Sequence, residues 1–215
     1  EPGRFNRITA GKFEPASIFK PVTIAGALEA GVVRLDDSVD ARTPVPFGRF
    51  SISDYYGKHR MLTIPEVFTY SSNIGTVRIA QAMGTQNFRA FLSRMGFDTA
   101  PKIELPEVTM PVVPNPLSEV AAATISFGHG LSVTPMQMLT ATAALVNGGH
   151  LVQPTLIRRE EAQSSAPWVR VLSEQTSLQM RYLLRLNALQ GSARRADALA
   201  RGFRLGGKTG TAEKV

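Results

Sequence analysis

Phe88, Phe91, Leu92 and Met95 recur at the i, i+3, i+4, i+7 spacing of one helical face, and Gly96 closes the run. That spacing predicts an amphipathic helix between Gly84 and Gly96. Upstream, a mostly apolar stretch lies between Pro15 and Gly31, residues suited to a helix start and a helix end. It predicts a first helix from about Ser17 to Ala30. Thr63-Ile-Pro-Glu66 reads as a capping box that opens a short helix to about Tyr70, and a further helix follows Asn73 and stops at Gly84. A helix near Ser118–Ile125 leads into the turn Ser126-Phe-Gly-His-Gly130. Thr134-Pro-Met-Gln137 is a second capping box, with proline at the first helical position, and its helix ends at Asn147-Gly-Gly149. Ser173 caps a long helix to about Leu189. Met136, Met138 and Met180 lie on the apolar stripes of these helices and belong to the core.

Between the helices the pattern is less regular. Residues 36–62 read as an irregular segment with a short strand near Phe50–Ser53. The proline-rich stretch from Pro101 to Pro116 reads as a loop. His150–Arg158 and Val169–Leu172 read as strands flanking a polar loop. Gly191–Gly202 reads as a loosely held connection to a final strand, Phe203–Val215. There are no internal repeats and no low-complexity tracts.

Composition narrows the functional classes. The chain has 215 residues and 43% hydrophobic content, enough for one domain with a sizeable core. Lysine and arginine outnumber aspartate and glutamate by 24 to 17, a net charge of +7. Such a balance suits an anionic partner. The arginines are dispersed, however, and no nucleic-acid-binding motif is present, so no nucleic-acid partner is expected. The absence of cysteine excludes disulfides, thiolate metal sites and thiol catalysis. The three histidines, His59, His129 and His150, stand at no metal-ligand spacing, and no cofactor or metal is expected. No stretch reaches the roughly 18 apolar residues of a membrane-spanning helix.

Chemistry is concentrated in three short motifs that follow one another in order: Ser17-Ile-Phe-Lys20, Ser71-Ser-Asn73 and Lys208-Thr-Gly210. A serine hydroxyl is a weak nucleophile at neutral pH and needs a base. With no histidine suitably placed, lysine is the candidate. Ser17 and Lys20 are three residues apart at a predicted helix start, so they share a face. Lys20 can serve if burial or nearby positive charge keeps it neutral, and Phe19, Pro21 and Val22 are poor company for a solvated charge. The helix N-terminus also favours negative charge developing at Ser17. Ser71 and Asn73 fall in a turn between two predicted helices. Ser71 can shuttle a proton between Lys20 and a leaving amine, and Asn73 offers an amide for a substrate amide. Ser-Ser-Asn is equally a good helix cap, and both roles stay open. Lys208-Thr-Gly210 sits on an extended segment after Gly206 and Gly207, where glycines permit close approach by another backbone. Such an edge can take a peptide by β-augmentation. Lys208 and Thr209 can hold a carboxylate, and the backbone amides of Ser17 and Thr211 can form an oxyanion hole.

The motifs and their surroundings resemble those of class B penicillin-binding proteins. Glu14-Pro-Ala-Ser-Ile-Phe-Lys-Pro21 resembles their Glu-Pro-Gly-Ser-Thr-Phe-Lys block. Ser71-Ser-Asn-Ile-Gly75, Ser126-Phe-Gly-His-Gly130 with Thr134-Pro-Met-Gln137, and Gly207-Lys-Thr-Gly-Thr-Ala212 are similar to further blocks of that family. The Ser-Phe-Gly-x-Gly form is closer to the septal, cell-division transpeptidase than to the elongation enzyme. Ala16 replaces the usual glycine and Ile18 the usual threonine, and neither change removes a catalytic group.

The resemblance implies an α+β fold of the β-lactamase and penicillin-binding transpeptidase type, with helices packed on a five-stranded antiparallel sheet. Residues 1–215 would form one truncated domain of that kind, mostly its helical lobe with an incomplete sheet whose open strand edges invite pairing with another chain. It also implies a D,D-transpeptidase that cross-links peptidoglycan stem peptides through a serine acyl-enzyme. The site residues would be Ser17, Lys20, Ser71 and Asn73 for catalysis and Lys208, Thr209, Gly210 and Thr211 for substrate. β-Lactam antibiotics would acylate Ser17. The partners would be a division glycosyltransferase and other division proteins, at the periplasmic face of an inner membrane reached through an N-terminal anchor absent from these residues. Two rivals share the motifs. A serine β-lactamase needs a deacylating base, for which Glu66 and Glu119 are the candidates. A non-catalytic penicillin-binding sensor or scaffold would use the fold for binding alone.

Overall fold

A computed structural model describes residues 5–158, 168–200 and 202–211. At its centre is α1 (Lys20–Glu29), in which every residue from Lys20 to Leu28 is buried. A helix without a polar face can only be a core element. It is packed by α3 (Asn73–Met83), α4 (Thr85–Arg94), α6 (Pro135–Val146) and α7 (Glu174–Gln190). The expected helix start differs in one respect that matters for function. Residues Ala16–Phe19 form a 3₁₀ turn, and the α-helix begins only at Lys20.

The two capping boxes form as the sequence predicts. Thr63 and Glu66 exchange bonds at the start of α2 (Ile64–Tyr70), and Thr134 and Gln137 do so at the start of α6. Ser118 caps α5 (Glu119–Ser126) and Ser173 caps α7. The stripe Phe88, Phe91, Leu92 and Met95 is buried, and the stretch from Pro101 to Pro116 has no helix or ladder strand.

The strands are short. β1 (Ser38–Asp40) pairs antiparallel with β4 (Met61–Thr63), and β2 (Val45–Phe47) pairs with β3 (Phe50–Ile52). The segment 36–62 is therefore two small ribbons rather than one isolated strand. They exist because Val39, Val45 and Leu62 are drawn into the core, a tertiary effect that three-residue runs do not announce. β5 (His150–Leu151) pairs with β6 (Val169–Arg170). These two are much shorter than the strands expected over 150–158 and 169–172; residues 159–167 lie outside the described residues. Gly191–Gly202 is not merely a connection: it holds α8 (Arg194–Leu199), tied to α7 by the ion pair Arg185–Asp197.

The largest correction concerns the expected final strand. Residues 203–211 pair with no strand among the described residues, and 212–215 lie outside them. The segment lies instead along α7. The Gly207 N–H donates to the Leu184 carbonyl at 3.1 Å, Arg185 Nη1 donates to the Leu205 carbonyl at 2.8 Å, and Asn187 Nδ2 donates to the Gly207 carbonyl at 2.7 Å. Backbone groups without a ladder must find other partners, and a helix side supplies them here. Among the described residues no helix is long and apolar enough to cross a membrane.

Candidate active site

Ser17 stands in the 3₁₀ turn, half-buried, one residue after Ala16. In a 3₁₀ turn residues i and i+3 eclipse, which puts Ser17 and Lys20 on one face more strictly than an α-helix would. The turn is fixed from the side. Phe13 and Val133 exchange two backbone bonds, Ala16 N–H donates to the Gly128 carbonyl at 3.0 Å, and the Glu14 carboxylate accepts from Gly130 N–H at 2.8 Å. Ala16 has a φ of +49°, in the left-handed region. A Cβ there costs roughly 1–2 kcal/mol, and burial of its methyl group returns about 0.8 kcal/mol. A glycine at this position would avoid the strain; burial of the alanine methyl group offsets part of it.

Lys20 is fully buried, and its ammonium donates to the Ser71 carbonyl and, at 3.1 Å, to Ser71 Oγ. Burial pushes its pKa down from 10.5 to about 7; the nearby Lys208 lowers it further, and Asp54 opposes both. Near neutral pH Lys20 is therefore divided between its charged and neutral forms. Lys208 Nζ reaches the same Ser71 Oγ from the other side at 2.9 Å and also donates to the Thr209 carbonyl at 2.9 Å. Its own burial lowers it to about 8. Ser71 Oγ therefore bridges the first and third motifs, although 137 residues separate Ser71 from Lys208.

The two roles left open for Ser-Ser-Asn are divided between its serines. Ser72 is the cap: its Oγ accepts from Gly75 N–H at 2.9 Å at the start of α3. Ser71 closes α2 with a φ of +56°, and the next residue, Ser72, donates its N–H to the Val67 carbonyl at 3.0 Å. That left-handed residue turns the chain so sharply that Ser71 Oγ points between the two lysines while Ser72 Oγ serves the helix. Asn73 is half-buried, with Nδ2 donating to the Ser53 carbonyl at 3.1 Å.

Gly210 lies against the Ser17 turn: a Cβ built on it would stand 2.9 Å from Ile18 Cγ2 and 3.2 Å from Ile18 N. Thr209 and Thr211, to either side, are exposed. The third motif and the Ser17 turn are therefore neighbours, as an oxyanion hole shared between them requires.

Sequence reasoning missed two residues here. Asn187 is fully buried on α7 and holds the Gly207 carbonyl next to Lys208, while its Oδ1 accepts from Ser192 N–H at 3.1 Å. The signal was legible: Asn187 occupies the i+7 position of the buried stripe Met180, Leu183, Leu184, where a polar residue needs a reason. Asn187→Leu is expected to destabilise the Lys208 segment by about 1–3 kcal/mol, because the half-buried Gly207 carbonyl loses its partner. Hydrogen exchange at Gly207 should accelerate while that at the α1 amides stays unchanged. The second missed residue is Asp54, whose Oδ2 accepts from Ser72 Oγ at 2.7 Å and whose Oδ1 accepts from Ile74 N–H at 2.9 Å.

Neither glutamate considered as a deacylating base is placed to act as one. Glu66 is held by Arg60 at 2.6 Å and by the Thr63 cap, which bring it down to about 2. Glu119 is exposed in the first turn of α5.

A serine on a fixed turn, a buried lysine with a lowered pKa and a hydroxyl shared by two lysines are thus brought together in one place. Residues 3–215 match the family described as the penicillin-binding protein transpeptidase domain. The chain is 37% identical over 214 residues to a probable peptidoglycan D,D-transpeptidase FtsI of Caulobacter vibrioides, covering 98% of this chain and 36% of that protein. It is 34% identical to stage V sporulation protein D of Bacillus subtilis, covering 100% of this chain and 35% of that protein. Among solved structures it superposes on the apo TP domain of Burkholderia pseudomallei penicillin-binding protein 3 with a TM-score of 0.88 at 32% identity, covering 98% of this chain and 63% of the other. The chain belongs to the penicillin-binding protein transpeptidase family. It spans about a third of the length of the curated relatives it matches.

Proposed function

We propose that this chain carries the acyl-transfer site of a peptidoglycan D,D-transpeptidase of the cell-division type. The observation that carries the proposal is Lys20, fully buried, lowered to about 7 and bonded to Ser71 Oγ. In this scheme neutral Lys20 takes the Ser17 proton as Ser17 Oγ attacks the penultimate D-Ala carbonyl of a stem peptide, forming the C–O bond. The oxyanion is met by the backbone amides of Ser17 and Thr211. The C–N bond then breaks, and the proton on Lys20 passes through Ser71 Oγ to the departing D-Ala amine. An amine from a neighbouring strand attacks the ester, the proton relay runs in reverse, and Ser17 is released. Asn73 orients the substrate amide; Lys208 and Thr209 hold the terminal carboxylate.

A β-lactam enters the same path, but its leaving nitrogen stays tethered to the acyl group and blocks the incoming amine. Glu66 is tied to Arg60 and Thr63 and Glu119 is exposed in the first turn of α5, so neither candidate supplies the hydrolytic base of a β-lactamase. The likeness to a FtsI-type protein favours a division glycosyltransferase and other division proteins as partners, and the periplasmic side of the inner membrane as the place of action. Incubation with a penicillin should add one drug mass to the intact protein, persistent for many minutes, and peptide mapping should put it on Ser17. Rapid loss of the adduct with turnover of the drug would favour a β-lactamase instead, and an adduct elsewhere would overturn the role of Ser17.

A further inference from the structure

We infer that Asp54 is a positioning residue for acyl transfer, fixing the Ser71–Asn73 turn so that Ser71 Oγ is held between Lys20 and Lys208. The inference rests on the roles proposed above for Ser17, Lys20 and Ser71. Three contacts converge from the Ser53–Asp54 pair, immediately after β3. Asp54 Oδ2 accepts from Ser72 Oγ at 2.7 Å, Asp54 Oδ1 accepts from Ile74 N–H at 2.9 Å, and the Ser53 carbonyl accepts from Asn73 Nδ2 at 3.1 Å. Residues 72, 73 and 74 are thus all gripped by one dipeptide from another part of the chain. Helix capping accounts for only one of the three, since Ile74 N–H is a first-turn donor of α3; Ser72 already caps the helix through Gly75 N–H, so the bonds to Ser72 Oγ and Asn73 Nδ2 hold the turn itself. The grip is needed because Ser71 stands at a φ of +56°, and a non-glycine residue stays there only where its surroundings over-determine it. Both carboxylate oxygens are committed to the turn, and the negative charge at the start of α3 is favoured by the helix dipole.

Asp54 also acts on the lysines through its charge. Among the described residues, the charged groups facing Lys20 are Lys208, from the segment after α8, and Asp54, from the loop after β3; the first lowers the pKa of Lys20 and the second raises it. Removing the carboxylate therefore leaves Lys20 neutral to lower pH while loosening the turn it must work with. The two effects oppose each other on the acid side and separate cleanly in a pH profile.

The test compares wild type, Asp54→Asn and Ser72→Ala, with folding checked by circular dichroism. Lysine labelled with ¹³C at the ε carbon reports Lys20 titration by NMR, and penicillin acylation rates are recorded across pH. Asp54→Asn keeps the size of the side chain and removes its charge. Its Lys20 midpoint should fall by about 0.5–1 pH unit, and its maximal acylation rate should fall by about 10-fold or more. Ser72→Ala removes one anchor but keeps the charge, so the maximal rate should fall while the midpoint stays. An unchanged midpoint in Asp54→Asn overturns the inference, and so does a shifted midpoint with a wild-type maximal rate. If wild type forms no adduct, the role of Ser17 fails, while the NMR titration still decides whether Asp54 controls Lys20.

Discussion

Lys20→Met is expected to lose penicillin acylation by about 10³–10⁴-fold and yet to be more stable than wild type at pH 6. The rate effect follows from removing the base that accepts the Ser17 proton; Ser17→Ala, which removes the nucleophile itself, should form no adduct. The stability effect follows from burial. A lysine whose folded pKa is lowered from 10.5 to about 7 binds its proton more weakly folded than unfolded. Below pH 7 both states are protonated, and the full penalty falls on the folded state. Between pH 7 and 10.5 the unfolded chain holds the extra proton, so wild-type stability rises with pH across that window. At about 1.4 kcal/mol per pH unit the penalty is about 4–5 kcal/mol at pH 6. Methionine has a similar volume, but leaves the Ser71 carbonyl and hydroxyl without the ammonium, at a cost of about 1–2 kcal/mol.

The net gain for Lys20→Met is about 2–4 kcal/mol at pH 6, and it disappears or reverses by pH 10. Urea unfolding at pH 6, 8 and 10 measures this, and a variant less stable than wild type at pH 6 would contradict it. In wild type, acylation should rise as Lys20 loses its proton through about pH 7. It should fall as Lys208, lowered to about 8, stops offering a cation to the substrate carboxylate. A rate that is flat from pH 6 to 9 would remove both lysines from their proposed roles.

Gly128→Ala is expected to cost about 3–5 kcal/mol and to abolish acylation in whatever protein remains folded. Gly128 has a φ of +89°, which an L side chain adopts only under strain. A Cβ there would stand 2.0 Å from the Ala16 carbonyl oxygen and 2.7 Å from Ala16 N. Both contacts are backbone, so no rotamer relieves them. The chain must move where Ala16 N–H donates to the Gly128 carbonyl, and Ser17 moves with it. Gly130→Ala is the matched control. Its φ is +76°, but the nearest atom to an added Cβ is Thr124 Oγ1 at 3.2 Å, a side-chain atom. It should cost only about 1–2 kcal/mol, the conformational strain alone. Thermal unfolding of the two variants should therefore differ by several degrees, and equal melting temperatures would show that the Ala16 contact yields without cost.

The helices were legible because each carries its instructions locally. The Thr63 and Thr134 capping boxes, the Ser118 and Ser173 caps and the Phe88–Met95 stripe are decided by residues within a few positions of one another. The three motifs were legible because a lysine-activated serine needs particular side-chain types at short spacing. Where the sequence misled, the deciding partner was distant. Phe203–Thr211 looks like a strand by composition, but its hydrogen bonds go to Leu184, Arg185 and Asn187 on α7. The ribbons β1–β4 and β2–β3 form because the core takes up Val39, Val45 and Leu62.

The sequence by itself determined the helical scaffold and the set of reacting groups, since both rest on local propensity and on the identity of side chains. Only the tertiary structure decided how those groups work together. It put Ser71 Oγ between Lys20 and Lys208, left capping of α3 to the adjacent Ser72, buried Lys20 deeply enough to lower its pKa to about 7, and brought Asp54 and Asn187 against the second and third motifs. Distances, burial and mutual fields between residues far apart in the chain are properties of packing, and no local pattern encodes them.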